Sequence, residues 1–224
     1  MIKYVFTDVD DTFLDFSLSG EFAIKKMFEE HGFEHKEDAY KAFLKVGTPL
    51  WNMVTEKKIN IARLQELRWP GIFAELNIDY DKSIDYEMEY RNHLAKTVFK
   101  IEGAEEYLKY LSEKYILCAA TNSYYFQQKS RFDIAGFTKY FTHIFASHEL
   151  GAEKPYAEFF ERCLEKAGCR DKSEVIMIGD SLSADVRGAK EVGIKTIWFN
   201  RHGIDCDSGA DYVINHLTDI KNIL

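Results

Sequence analysis

Short apolar runs alternate with amphipathic stretches along most of the chain, and one long block departs from that rhythm. Residues 2–7 (Ile-Lys-Tyr-Val-Phe-Thr) are rich in aromatic and β-branched side chains and predict a short buried strand. Residues 20–97 hold no comparable run. They show helical spacing instead: Phe22, Met27 and Phe28, then Ala39, Phe43 and Leu44, then 61–76 and 82–96. Breaks are expected at Gly47-Thr48-Pro49 and at Pro70-Gly71, so the block predicts an all-helical insertion. From about residue 100 the pattern changes. It predicts a helix over 104–113, a strand over 115–120, a helix near 124–135 and a brief strand over 143–146. A helix over 156–167, a strand over 174–178, a helix near 184–191 and a strand over 195–199 complete it. Such alternation predicts an α/β fold, a Rossmann-like parallel sheet with helices on both faces, carrying an inserted helical domain.

Polar residues interrupt this sheet at particular places. Asp8, Asp10 and Asp11 follow the first strand, Thr121-Asn122 the second, and Gly179-Asp180 the run 175–178; Lys154-Pro155 precedes a helix. Taken alone, the opening acids read equally well as a solvated turn. In an open parallel sheet, however, the carboxyl ends of the strands share one edge, and ligands bind there. Residues far apart in sequence are therefore expected to converge in one crevice.

Asp8, Asp10, Thr121, Lys154, Asp180 and Asp185 are the residues so collected. Several carboxylates without a matching His or Cys cluster suit a hard, oxygen-preferring cation such as Mg²⁺. A lysine and a hydroxyl opposite them suit a phosphate group. With a divalent cation cancelling the repulsion, Asp8 could attack phosphorus, while Asp10 protonates the leaving oxygen and later activates water. Asp11 is expected to be a turn residue, and His148 a solvated or structural one.

Composition narrows the choice of partner. The 224 residues are 46% hydrophobic and 15% aromatic, which is enough for a packed core. A formal charge of −8 disfavours a nucleic-acid polymer or an anionic membrane as partner, though not a small phosphorylated substrate. Cys118, Cys163, Cys169 and Cys206 show no CxxC pairing and suit a reducing compartment, with Cys118 as strand packing. No signal peptide or membrane-spanning run is apparent, so a cytoplasmic location is expected. A monomer or weak dimer is the expected state.

The motifs resemble the haloacid dehalogenase superfamily of aspartate-nucleophile phosphohydrolases. Asp8-Val9-Asp10-Asp11-Thr12 is similar to its motif I (DxDxT), Thr121-Asn122 to motif II, Lys154-Pro155 to motif III, and Gly179-Asp180 through Asp185 to motif IV (GDxxxxD). The resemblance implies Asp8 as nucleophile, Asp10 as acid/base, and Thr121, Asn122 and Lys154 at the phosphate. It implies metal contacts from the Asp8 and Asp180 side chains and the Asp10 carbonyl, with Asp185 supporting and Thr12 orienting Asp10. It also implies a hydrolase core over 1–16 and 98–224 and a type I helical cap over 17–97. Thr121 and Lys154 are only 33 positions apart, too close to hold the larger α/β cap. Such a cap would close over the crevice, exclude water and read the leaving group.

Pro49-Leu50-Trp51, Ile59, Arg68-Trp69, Leu14-Asp15-Phe16 and Trp198-Phe199-Asn200 resemble the noncanonical pyrimidine 5′-nucleotidase subgroup. Gly47 stands where that pattern has Asn, and Ser123 where it has Gly. The resemblance implies a nucleotide as substrate, with Trp51 and Trp69 either stacking on a base or filling the cap's interior. A sugar-phosphate phosphatase or phosphoglucomutase is the alternative enzyme, and a catalytically silent Mg²⁺- or phosphate-binding regulator the alternative of another class. Retention of both Asp8 and Asp10 speaks against silence, and Asp10 against dehalogenation, which has no leaving oxygen to protonate.

Overall fold

Six parallel strands are hydrogen-bonded in the order β3-β2-β1-β4-β5-β6, and Asp8, Thr121 and Asp180 stand at or just beyond the carboxyl ends of three of them. The strands are β1 (Tyr4–Thr7), β2 (Ile116–Thr121), β3 (His143–Ala146), β4 (Val175–Gly179), β5 (Lys195–Phe199) and β6 (Tyr212–Ile214). The computed structural model describes residues 1–224, which fall into two units: Met1–Phe16 with Phe99–Leu224, and Ser17–Val98. None of its helices is long and apolar enough to cross a membrane.

The first unit is the sheet and its helices. β1 and β4 are buried on both faces, which is why they read as continuous apolar runs. The connecting helices are α5 (Ala104–Lys114), α6 (Tyr125–Ala135), the single turn α7 (Ser147–Leu150), α8 (Ala157–Ala167) and the short α9 (Gly188–Glu191). Phe159, Phe160 and Cys163 of α8 pack with Phe6, Cys118, Phe145 and Met177 of the sheet into one core cluster. Cys118 is strand packing, and burial pushes its thiol up to about 12. Because β1 pairs with β2 on one side and β4 on the other, the chain reverses its winding about β1. That is where an open α/β sheet leaves a crevice.

The structure departs from the sequence pattern at three places here. The helix near 184–191 starts earlier, as a wide π-helical turn over Leu182–Arg187 that runs into α9. β6 gave no sequence signal, because only Ile214 of its three residues is buried. Phe22 and Leu44, which share the helical spacing, are exposed at 47% and 44%.

The second unit holds most of α1 (Phe16–Glu30), with α2 (Ala39–Thr55), α3 (Ile61–Leu76) and α4 (Tyr86–Leu94). The breaks expected at 47–49 and 70–71 do not occur: Pro49 lies inside α2 and Pro70 inside α3. A proline removes one helical hydrogen bond, and the contact between the two helices outweighs that loss. Gly71 serves this contact rather than ending a helix, since a Cβ there would lie 2.8 Å from Val46 Cγ1.

Glu87 is the polar centre of this unit. Arg68 donates to it from Nη2 at 2.5 and 2.6 Å and from Nε at 3.2 Å. The Trp69 indole donates at 2.9 Å, and Arg91 Nε lies 2.8 Å away. Burial pushes the Glu87 carboxyl up, but the charges of Arg68 and Arg91 outweigh it and hold the group below its usual range. Arg68 is 2% exposed and Trp69 3%, so both fill the unit's interior and Trp69 has no face for a base. Arg68→Ala is expected to destabilise this unit by about 1.5–3 kcal/mol, because it removes the Arg68 hydrogen bonds to a buried carboxylate and leaves it only Arg91 and Trp69. Urea unfolding followed by circular dichroism would measure the loss.

Candidate functional site

The site grows from the end of β1. Asp8 continues the strand by donating its backbone N–H to the Ile178 carbonyl at 2.8 Å, which sets it beside the end of β4. After it the chain turns sharply, with Asp11 in the left-handed region at φ 59° and its Oδ1 accepting from the Phe16 N–H at 3.1 Å. Asp11 is thus a turn residue. Arg201 lies 3.6 Å from it and donates to Asp15 at 2.9 Å.

Lys154 reaches the same place from the loop between α7 and α8. Its Nζ donates to Asp8 Oδ1 and to Asp185 Oδ1, both at 2.7 Å. Asn122 aligns that loop: its side chain donates to the Lys154 carbonyl and accepts from the Lys154 N–H, each at 2.8 Å. Ser123, standing in for glycine, is outside the left-handed region and needs no glycine.

Asp185 reaches the cluster because Gly179 has no side chain. A Cβ at that position would lie 2.1 Å from Asp185 Oδ2. The carboxylate is 1% exposed and also accepts from the Ser181 N–H at 3.0 Å. Asp180 closes the group: Thr12 Oγ1 donates to its Oδ1 at 3.2 Å, and the Trp198 indole holds its carbonyl at 2.8 Å. Thr12 was expected to orient Asp10. Its hydroxyl turns to Asp180 instead, because Asp10 points the other way.

Asp8, Asp180 and Asp185 each present an oxygen within 4.8 Å of the others. Burial raises the Asp8 carboxyl to about 7, with Lys154 opposing and Asp185 and Asp10 adding to the rise. Asp180 is raised by burial and by Asp8 and Asp185. Burial works against charge on Lys154, but Asp185 and Asp8 prevail and hold its ammonium charged. Were all three carboxyls ionised, they would outnumber the one ammonium by two charges, and burial together with this crowding raises Asp8 and Asp180. An all-oxygen donor set with that excess fits a small divalent cation.

The carboxylate of Asp10 stands apart from this cluster. Gln128 donates to its Oδ2 at 2.7 Å and Arg131 to its Oδ1 at 2.5 Å. Gln128 also donates to Thr121 Oγ1 at 3.2 Å, so Thr121 is linked to Asp10 through one side chain. Sequence reasoning missed Gln128 and Arg131. Their three-residue separation on α6, just after Thr121, was the available signal, since it sets both on one helix face.

The chain is similar to known proteins along most of its length. A family model described as haloacid dehalogenase-like hydrolase matches residues 5–199. The chain belongs to this family. Among haloacid dehalogenase-like hydrolases it is 31% identical to the pyrimidine 5′-nucleotidase PynA of Streptococcus pneumoniae, over 99% of this chain and 97% of the relative. It is 26% identical to the pyrimidine 5′-nucleotidase YjjG of Escherichia coli, over 99% and 97%. The magnesium-bound crystal structure of the HAD-hydrolase YfnB from Bacillus subtilis matches with a TM-score of 0.89 at 27% identity, covering 100% of this chain and 98% of that one.

Proposed function

We propose that this hydrolase is a Mg²⁺-dependent phosphomonoesterase acting through an aspartyl-phosphate, with pyrimidine nucleoside 5′-monophosphates as substrates. The observation that carries the chemistry is the Asp8–Lys154–Asp185 network, with Asp180 beside it. Asp8 and Asp180, with the Asp10 carbonyl, would hold the cation, which when bound lowers the repulsion between a carboxylate and a phosphate dianion.

The protein's own residues supply the remaining parts. Lys154 fixes Asp8 Oδ1 and faces the phosphoryl oxygens as a positive charge. The second Asp8 oxygen forms a bond to phosphorus as the bond to the ester oxygen breaks, and Asp10, entering this step as the carboxylic acid, gives that oxygen its proton and is left as the carboxylate. Water then attacks phosphorus, Asp10 takes its proton, and the bond to Asp8 breaks to free phosphate. Thr121 donates to a phosphoryl oxygen, Asn122 holds the Lys154 loop, and Asp185 keeps Lys154 charged and aimed. Thr12 holds Asp180.

The likeness to PynA over nearly the full length of both chains supports a nucleotide substrate. In this proposal Met1–Phe16 with Phe99–Leu224 is the hydrolase core, and Ser17–Val98 is the type I cap that reads the leaving nucleoside. The test is a panel of nucleotides and sugar phosphates with Mg²⁺ present and after EDTA. We expect kcat/KM for dUMP or dTMP to exceed that for glucose 6-phosphate by at least about tenfold, as remote binding energy is used at the reacting centre. A hexose phosphate preferred over every nucleotide would overturn the substrate assignment and leave the phosphoryl chemistry standing.

A further inference from the structure

Two polar side chains that the mechanism above does not use are buried beside it. Gln128 and Arg131 of α6 are both 0% exposed. Gln128 Nε2 donates to Asp10 Oδ2 at 2.7 Å and to Thr121 Oγ1 at 3.2 Å, while its Oε1 accepts from Arg131 Nη1 at 3.0 Å. Arg131 Nη1 also donates to Asp10 Oδ1 at 2.5 Å. The chemistry of the partners fixes which end of the amide is which. A carboxylate oxygen can only face its N–H₂, and a guanidinium N–H only its oxygen. Both amide hydrogens and the amide oxygen therefore have partners, and the side chain has one orientation.

That orientation has a consequence for Thr121. Its hydroxyl oxygen meets an N–H of Gln128 and accepts there, so its single hydrogen points away from Gln128. The same amide holds the Asp10 carboxylate through Oδ2 while Arg131 holds Oδ1. We propose that Gln128, locked by Arg131, is a positioning residue that sets two working groups together: the Asp10 carboxylate for proton transfer, and the Thr121 hydroxyl as a donor to the substrate's phosphoryl oxygen. This rests on Asp10 being the acid/base of the proposed reaction. A buried network that only held the fold would change stability and leave turnover per folded molecule alone.

The test uses Gln128→Met, which keeps volume and removes the amide, and Gln128→Glu, which keeps shape and turns a donor into a charge facing Asp10. Both are compared with Asp10→Asn and with the Gln128→Met, Asp10→Asn double variant. Gln128→Met is expected to lower kcat by about 10- to 100-fold through misplacement of Asp10. It should also weaken inhibition by inorganic phosphate by about threefold, the effect of one mis-set hydrogen bond. Gln128→Glu should lose more. In the double variant, loss of the amide should slow turnover by less than about threefold beyond Asp10→Asn, because the two residues act as a unit. Losses that multiply would overturn the coupling. Wild-type kcat in both Gln128 variants, with Asp10→Asn inactive, would reduce the network to a structural one. Wild-type turnover in Asp10→Asn would instead remove the acid/base assignment itself and this proposal with it. If Gln128→Met does not fold, Arg131→Lys keeps the charge and the amide; a kcat loss of about fivefold is expected there from looser geometry, and an unchanged kcat would overturn the proposal.

Discussion

Asp8→Asn is expected to reduce turnover by at least about 10⁴-fold, the scale on which enzymes lose activity when the nucleophile is removed. The substitution keeps the shape at the end of β1 and still offers Lys154 an oxygen, so the fold should persist. It also removes one of the mutually repelling carboxylates gathered within 4.8 Å. The variant should therefore melt within a few degrees of the wild type and retain phosphate binding. Steady-state kinetics on protein shown by peptide mass to be free of deamidation makes the measurement. Activity within tenfold of wild type would remove Asp8 from the nucleophile's place.

Lys154→Met should produce the largest change in stability. It leaves the buried carboxylates of Asp8 and Asp185 without their shared cation, a loss of about 3–5 kcal/mol in metal-free protein. The pH dependence has a definite sign. Asp8 already holds its proton up to about 7 in the folded chain, against 3.8 ordinarily. Between those values the folded state binds more protons than the unfolded one, so this group's contribution falls as pH rises. Without Lys154 the folded carboxyl moves higher still. The deficit of the variant should be greatest near pH 8 and shrink toward pH 5, where the Asp8 carboxyl is neutral. Urea unfolding in EDTA at several pH values tests it, and a deficit independent of pH would mean that the ion pair is not what stabilises this corner. Turnover should fall by about 10²-fold or more, as for loss of a preorganised charge at the reacting group.

What could be read in advance follows from how each residue is buried. β1 and β4 are covered on both faces, so their apolar runs stood out, and the polar residues that end them marked the sheet edge. Asp8 and Asp180 were legible for that reason, whereas Lys154 and Asp185 were legible only through the order and spacing of the motifs. Gln128 and Arg131 were not: in the run Tyr-Phe-Gln-Gln-Lys-Ser-Arg-Phe they look like a solvated helix face, and only the fold shows them buried. The Thr12 hydroxyl could not be assigned from local sequence, because its partner Asp180 lies 168 positions away. Gly47-Thr48-Pro49 and Pro70-Gly71 read as helix breakers by local propensity, while the packing of Gly71 against Val46 keeps both helices continuous.

The covalent intermediate is the central claim, and rapid acid quenching tests it most directly. Wild-type protein is mixed with excess dUMP, stopped within the first turnover and reduced with borohydride, which converts an acyl phosphate to an alcohol. Peptide mapping should recover homoserine at position 8 and aspartate at positions 10, 180 and 185. Turnover under the same conditions with position 8 unmodified, or with the label on any other carboxylate, would contradict the account.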